Sequence, residues 1–447
     1  MRSLSPHAIF CFAGCRFASI LLPGTRLMNE EREHQQVRAS LGSAGRFLYW
    51  LEEEERLDAN AERTGMLASL SEKVEFAYSR TKPHVGPLSE GCRSCGRGTW
   101  SCLFINQRCN TDCFYCPMEP TDRHDPPPTA LGIEFTSEKA YRQLLEQAGY
   151  TGVGISGGEP LLDMERTLRF VETARSKQGD RCYIWLYTNG ILASEQRFAD
   201  LYSAGVDEIR FDISAVQYSL KPLKIARSRP WRIAVEIPAI PEDEERVASL
   251  LSVLGDIGVN YLHLHQLTVN RWNAGRYVDR EYTLLHDPAN AVMESEFSAL
   301  RLLDLAAEEN PGIGVQYCAR AYKIRFQGRG RRLRLLQLGW GDEQPGMVDE
   351  HGYVLQEEAL DPVEAVHDLP DALPLLPSPQ AGCLVGKQSH ELPAEPVKRM
   401  EPVIVHRLGL PDERAIPVDG LERYAIRLVP ASPRSSRYER KGLPPLR

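Results

Sequence analysis

The chain has 447 residues, 42% of them hydrophobic and 26% charged, with a formal net charge of −8 at pH 7. That composition excludes a mostly disordered chain, a collagen-like fibre and a small disulfide scaffold, and it allows two or three domains or one large α/β barrel with an appendage. The acidic balance gives no field that would draw the chain to nucleic acid or an anionic membrane, and no apolar run approaches the ~20 residues that cross a bilayer, so neither partner is expected.

Residues 1–27 read as a non-native start or a disordered leader. Phe12-Ala13-Gly14-Cys15 imitates a lipoprotein cleavage site, but the apolar stretch before it is short and broken by Cys11, and Met28 stands just ahead of the helix-friendly Asn29-Glu30-Glu31. Residues 28–90 form an expected helical N-terminal segment, with Glu52 to Glu55 on a solvated helix. Short apolar runs then follow at 100–106, 152–156, 182–187, 208–213, 232–237 and 261–267, after one insertion at intervals of roughly 24–30 residues, the length of a strand plus a helix. Several show little alternation, as expected of a parallel sheet buried on both faces. Between them, Tyr141, Leu144, Leu145 and Ala148 make a helical stripe stopped by Gly149, and Val247, Leu250, Leu251 and Leu254 another stopped by Gly255. Asp163 and Ser194 are candidate N-caps.

The expected fold is therefore α/β, six βα units in series. They could form a doubly wound sheet; the reading adopted is a partial (β/α)6 TIM-like barrel over residues 91–270. A helical and basic extension spans 271–334, with a helix over 292–309 and a strand ending at Cys318. A small Pro-rich C-terminal accessory domain over 335–431 and a disordered tail over 432–447 complete the chain.

Six of the eleven cysteines (Cys92, Cys95, Cys102, Cys109, Cys113, Cys116) fall within twenty-five residues. Such a cluster in an enzyme-sized chain points to metal or cluster ligation in a reducing, cytoplasmic setting rather than to disulfides. Cys109-Asn-Thr-Asp-Cys113-Phe-Tyr-Cys116 directly follows the first strand. Three thiolates so spaced can hold three irons of a [4Fe–4S] cube and leave the fourth iron open, whereas ferredoxins saturate theirs with four. A zinc knuckle, or a cluster saturated by Cys102, is the structural alternative. Cys92-x2-Cys95 is a half-site that Cys318 and perhaps Cys102 complete as a second iron–sulfur or zinc site, or else a reduced, unligated pair. Cys182 and Cys383 read as packing or surface residues.

With Tyr115 before the last cysteine, and Gly157-Gly158-Glu159-Pro160 closing the second strand, the chain resembles the radical S-adenosylmethionine (SAM) superfamily over roughly 95–270. Gly91-Cys92-x2-Cys95, Cys102-Leu103-Phe104-Ile105, Cys113-Phe114-Tyr115-Cys116-Pro117 and Tyr317-Cys318 narrow the resemblance to a little-characterised prokaryotic group related to the pyruvate formate-lyase activating enzyme. The resemblance implies a cluster on Cys109, Cys113 and Cys116 whose open iron chelates SAM. The reduced cluster cleaves SAM, and the resulting 5′-deoxyadenosyl radical takes hydrogen from a substrate. It also implies a reductant such as flavodoxin or ferredoxin. Gly157 and Gly158 would let backbone approach the methionine moiety and Glu159 would accept from its ammonium. Asp212 and Ser214 become candidates for the ribose and carboxylate, with Tyr115, Thr188 and Asn189 nearby. The substrate stays open between a small molecule and a protein or peptide modified as by an activase, and the non-enzyme rival is an Fe–S or zinc interaction module. His263 and His265 share a strand face, as site groups or as a hydrogen-bonded core pair. The basic run from Arg320 to Arg334 is either a solvated face or a binder of phosphate, RNA or acidic protein.

Overall fold

A computed structural model describes residues 35 and 37–339, except 53, 179–181 and 286–289, together with strands at 354–360, 403–411, 416–417, 424–425 and 428–430. The leader 1–27, the tail 432–447, most of the accessory domain 335–431, and Cys11, Cys15 and Cys383 lie outside the described residues. The chain divides into two units, residues 38–357 with 406–447 and residues 1–37 with 358–405, and both cysteine groups lie in the first.

That unit is a strand–helix ladder. In order along the chain are α1 (Arg56–Leu70), β1 (Glu75–Phe76), β2 (Lys82–Val85), α2 (Glu90–Arg97) and β3 (Trp100–Phe104). There follow β4 (Thr129–Ala130), β5 (Ile133–Glu134), α3 (Glu138–Gln147), β6 (Gly152–Ser156), α4 (Met164–Gln178) and β7 (Tyr183–Thr188). The ladder continues through α5 (Glu195–Ala204), β8 (Glu208–Phe211), α6 (Lys221–Ala226), β9 (Arg232–Pro238), α7 (Glu244–Ile257) and β10 (Tyr261–His265). It closes with α8 (Met293–Glu309), β11 (Gly314–Cys318), a π-helical turn (Lys323–Gly328) and α9 (Arg329–Gly339). One open sheet takes the order β1-β2-β11-β10-β9-β8-β7-β6-β3-β4-β5. Its seven central strands, β3 and β6 to β11, run parallel, and the short pairs at both edges run antiparallel. The fold is thus a partial β/α barrel with one parallel strand more than the six expected, supplied by β11 beyond residue 270.

The strands alternate more than the sequence suggests. Val153, Ile155, Ile184, Leu186, Ile209 and Phe211 are fully buried on the outer face among the helices. Each contributes roughly 1.5–3 kcal/mol, so the outer face holds the sheet. The inner face carries polar groups at the intervening positions: Glu208, Arg210, Glu236, His263, His265 and Gln316. These are also buried or nearly so, so both faces of the sheet are covered. Arg210 bonds Glu208 (2.5 Å), Glu236 (2.8 Å) and Ser89 Oγ (3.1 Å), the last being the N-cap of α2, which lies across this face.

Local signals behave as their chemistry dictates. Ser194 Oγ accepts from Arg197 N (3.3 Å), Asp163 Oδ1 from Arg166 N (3.3 Å), and Gly149 follows α3 with φ +60°. Gly255 does not stop α7. The helix runs on to Ile257 and ends at Gly258 (φ 84°), and Gly255 is small because a Cβ there would stand 2.3 Å from the Pro311 carbonyl oxygen. Glu52, Glu54 and Glu55 are exposed but precede α1, and the segment expected to be helical over 28–90 also supplies β1 and β2 to the sheet. The basic run is no solvated face, since Arg320 to Arg334 are all at least half-buried in the π-helical turn and α9. Arg334 donates to the carbonyls of Ala148 (2.6 Å) and Gly98 (3.3 Å). No helix among the described residues is long and apolar enough to cross a membrane.

Candidate active site

The carboxyl ends of β3, β6, β7 and β8 converge, and in parallel α/β sheets that edge is where ligands bind. The segment leaving β3 is laid onto the turn leaving β6. Ile105 N bonds Ser156 O (2.8 Å), Gly158 N bonds Asn106 O (3.0 Å), Glu159 N bonds Arg108 O (2.8 Å), and Asn106 Nδ2 donates to Glu159 O (3.2 Å). The two glycines serve that seating first. Gly157 has φ +141°, and a Cβ on Gly158 would lie 1.9 Å from the Arg108 carbonyl oxygen. Their smallness is spent on the cysteine loop's own backbone, a reason additional to the approach of a ligand.

Glu159 differs from its expected role. Its side chain is buried and accepts from Leu161 N (2.9 Å), Thr188 Oγ1 (2.9 Å) and Asn189 N (2.8 Å). Burial raises the carboxyl's pKa even against these bonds. With most of its lone pairs committed, the carboxylate ties the β6 turn to the end of β7, which leaves it little capacity for the ammonium of a ligand. Thr188 and Asn189 complete the tie. Thr188 Oγ1 accepts from Gly190 N (3.0 Å), and Asn189 Nδ2 donates to Asn110 Oδ1 (2.7 Å) and lies 3.9 Å from Cys109 Sγ.

Cys109, Cys113 and Cys116 are all free thiols, the first exposed and the others half-buried. The Thr111 hydroxyl sits between two of them, 3.2 Å from Cys109 Sγ and 3.6 Å from Cys113 Sγ. Burial pushes the Cys113 and Cys116 thiols up. The segment after β10 clamps the loop from outside, and sequence reasoning missed it because nothing in its spacing announces it. Arg276 donates to Cys113 O (2.9 Å) and pairs with Asp112 (2.5 Å), Asn273 donates to Tyr115 O (3.2 Å), and Asn270 to Pro117 O (2.8 Å). Next to it, the Tyr115 hydroxyl donates to Asp212 Oδ2 (2.8 Å) and lies 2.7 Å from Ser214 Oγ, which donates to Asp212 Oδ1 (2.5 Å). Burial raises the Asp212 carboxyl as well.

The donor set of the loop suits a cluster better than a single ion. Thiolates round one zinc lie about 3.8 Å apart, from bonds of about 2.3 Å, and among the described residues no three His, Cys, Asp or Glu side chains converge to hold one ion. A cubane spreads three thiolates over three irons, which suits three cysteines on one open loop. Cys102 is not part of this loop. It lies on β3, its thiol pushed up to about 12 by burial. Cys182 is buried, as a packed thiol should be. Cys92, Cys95 and Cys318 gather instead on the inner face around Lys82, with His263 beside Cys92. His265 pairs with Glu236 (3.0 Å).

Comparison with known proteins bears on the same region. Residues 103–239 match the family model for the radical SAM superfamily. Over 268 residues the chain is 28% identical to a protein of Methanocaldococcus jannaschii named "Putative glycyl-radical enzyme activating enzyme", covering 58% of this chain and 70% of that one. It is also 32% identical over 120 residues to GTP 3′,8-cyclase of Parasynechococcus marenigrum, spanning 26% of this chain and a third (33%) of the cyclase. Among solved structures, Streptococcus suis SuiB bound to SAM aligns at TM-score 0.38 and 12% identity, over 49% of this chain and 50% of SuiB. Coproporphyrinogen III oxidase (HemN) of Escherichia coli aligns at TM-score 0.33 and 12% identity, over 54% of this chain and 62% of HemN. Alignments so partial leave the assignment to the sequence match and to the site's own chemistry. By these, residues 103–239 carry a radical SAM domain, and the chain is an enzyme whose cofactors are a [4Fe–4S] cluster and S-adenosylmethionine.

Proposed function

We propose that Cys109, Cys113 and Cys116 hold the cluster and that the enzyme abstracts a hydrogen atom from a protein or peptide. The observation that carries the reading is the seating of the three-cysteine loop on the GGEP turn through Asn106 and Arg108, with Asn189 bonded back to Asn110. When bound, the cluster would supply the single electron for reductive cleavage of SAM. The chain's own residues orient the reactant. Tyr115, Asp212 and Ser214 satisfy one another's hydrogen bonds and can exchange them for the hydroxyl groups of SAM. Backbone carbonyls of the Gly157-Gly158 turn suit its ammonium, and Glu159, Thr188 and Asn189 act as positioning residues.

A polypeptide substrate is supported by the name of the Methanocaldococcus relative and by the exposure of Cys109, Asn110 and Asp112 on the loop. The free cysteines suit a reducing cytoplasm, where flavodoxin or ferredoxin would act as electron donor. The test is 5′-deoxyadenosine release by anaerobically reconstituted protein given SAM and dithionite, with a protein extract of the source cell added or withheld. Release that rises with the extract, falls after protease treatment of it, and vanishes in Cys113→Ala supports the reading. Stimulation by the extract's ultrafiltrate alone assigns a small-molecule substrate. No release and no SAM binding would favour a non-catalytic Fe–S module.

A further inference from the structure

The inner face of the half-barrel holds a second sulfur-rich site that the reaction above does not use. Cys92 and Cys95 lie one turn apart on α2 and so share a side of that helix. Cys318 ends β11. Gln316 stands opposite His84 in the antiparallel pairing of β11 with β2, and the same register carries Lys82 to Cys318. Each of the three sulfurs receives a donor from a different buried or half-buried side chain. Lys82 Nζ donates to Cys318 Sγ (2.9 Å), Gln316 Nε2 to Cys92 Sγ (2.7 Å), and Gln327 Nε2 to Cys95 Sγ (3.1 Å). A neutral thiol is a weak acceptor. The Gln316 amide nitrogen also closes on His263 Nδ1 and so is shared between that ring and Cys92 Sγ, while Lys82 and Gln327 each direct an N–H at one sulfur.

The charge around the site is one-sided. Lys82 is 1% exposed, and among the described residues no carboxylate pairs with it. Its ammonium lies 4.3 Å from the centre of the Tyr322 ring and otherwise faces sulfur. A buried ammonium needs an anion. Two further atoms here lack hydrogen bonds although fully enclosed: Gln316 Oε1, and Nε2 of His263, whose other nitrogen lies 3.8 Å from Cys92 Sγ. Gln327 reaches Cys95 from the π-helical turn at Lys323–Gly328, and single π turns are frequent at functional sites.

We propose that Cys92, Cys95 and Cys318 hold a second iron–sulfur cluster, with His263 beside it as the further donor and Lys82 as its countercharge. A single ion fits less well, since no three ligand side chains among the described residues converge on one point, whereas thiolates on a cluster attach to separate irons. A cluster bound by three thiolates is anionic, and the Lys82 ammonium neutralises it within the sheet. Cys102, expected as a possible fourth ligand, receives none of these donors.

The site is tested in the full chain with the loop site removed. A Cys109→Ala/Cys113→Ala/Cys116→Ala variant, reconstituted anaerobically with ferrous iron and sulfide and then desalted, is expected to keep about four irons and four sulfides per chain, close to half the wild-type content. Adding Cys92→Ser and Cys95→Ser is expected to abolish both with an unchanged far-ultraviolet circular dichroism spectrum. Should that variant fail to fold, Cys318→Ser in the same background reads the same loss. A loop-site variant that retains no iron and sulfide overturns the proposal, as does one that retains zinc in their place.

Discussion

The two cysteine groups of this chain solve opposite problems. Those of the loop after β3 stand at the open edge of the sheet, where Cys109 is exposed and the sulfurs are met by the Thr111 and Tyr115 hydroxyls, the Met118 backbone and a distant amide. What is fixed there is backbone: the carbonyls of Cys113, Tyr115 and Pro117 are held by Arg276, Asn273 and Asn270. Of those on the inner face, Cys92 and Cys318 are buried and Cys95 half-buried, and there each sulfur meets a side-chain N–H group near a buried ammonium. A centre that must present an open iron to a substrate is positioned through its loop, which leaves the metal accessible. A centre closed to solvent is stabilised through its charges, since burial penalises any charge left unpaired.

The difference can be broken from the loop side, and the inner group should not respond. Gly158→Ala has the largest expected effect, because its Cβ would meet the Arg108 carbonyl oxygen and lift the loop from the turn. A loss of roughly 1–3 kcal/mol is expected from such overpacking, read as a lower melting temperature together with loss of the loop cluster's iron. Iron held on the inner face should remain. Glu159→Gln places an amide N–H₂ against groups that already donate to the carboxylate. It should cost about 1–3 kcal/mol and weaken SAM binding in a calorimetric titration, with cluster content preserved. Asp212→Asn is the mildest. It should leave melting temperature and iron unchanged and raise the KM for SAM about tenfold, the equivalent of ~1.4 kcal/mol. Were Asp212→Asn to change iron content while leaving KM alone, the division of labour between loop and strand end would be wrong.

Much of this architecture is legible in the amino-acid sequence. The apolar runs mark β3 and β6 to β10 to within two residues at most ends, because each strand's outer face must bury branched side chains. The capping groups of α3, α4 and α5 are equally local. The three-cysteine array and the GGEP turn stand out because their chemistry is compressed into a few residues. The inner face does not. Lys82 meets Cys318, and Gln316 meets Cys92, only through strand register across more than two hundred positions, and no local pattern reports such a pairing. Glu159 misleads for a related reason: an acid in a glycine turn reads as a ligand group until Thr188 and Asn189 arrive from the next strand and occupy it. Gly255 marks close packing against Pro311 where a helix stop was expected.

The measurement closest to the central claim is electron paramagnetic resonance of the dithionite-reduced protein with and without SAM. A cluster on Cys109, Cys113 and Cys116 with one iron open to ligand should change its spectrum when SAM is added, and Cys113→Ala should lose the SAM-responsive component while the signal of the inner-face site stays as it was. A spectrum wholly indifferent to SAM, or a SAM-responsive component that survives in Cys113→Ala, would contradict the account.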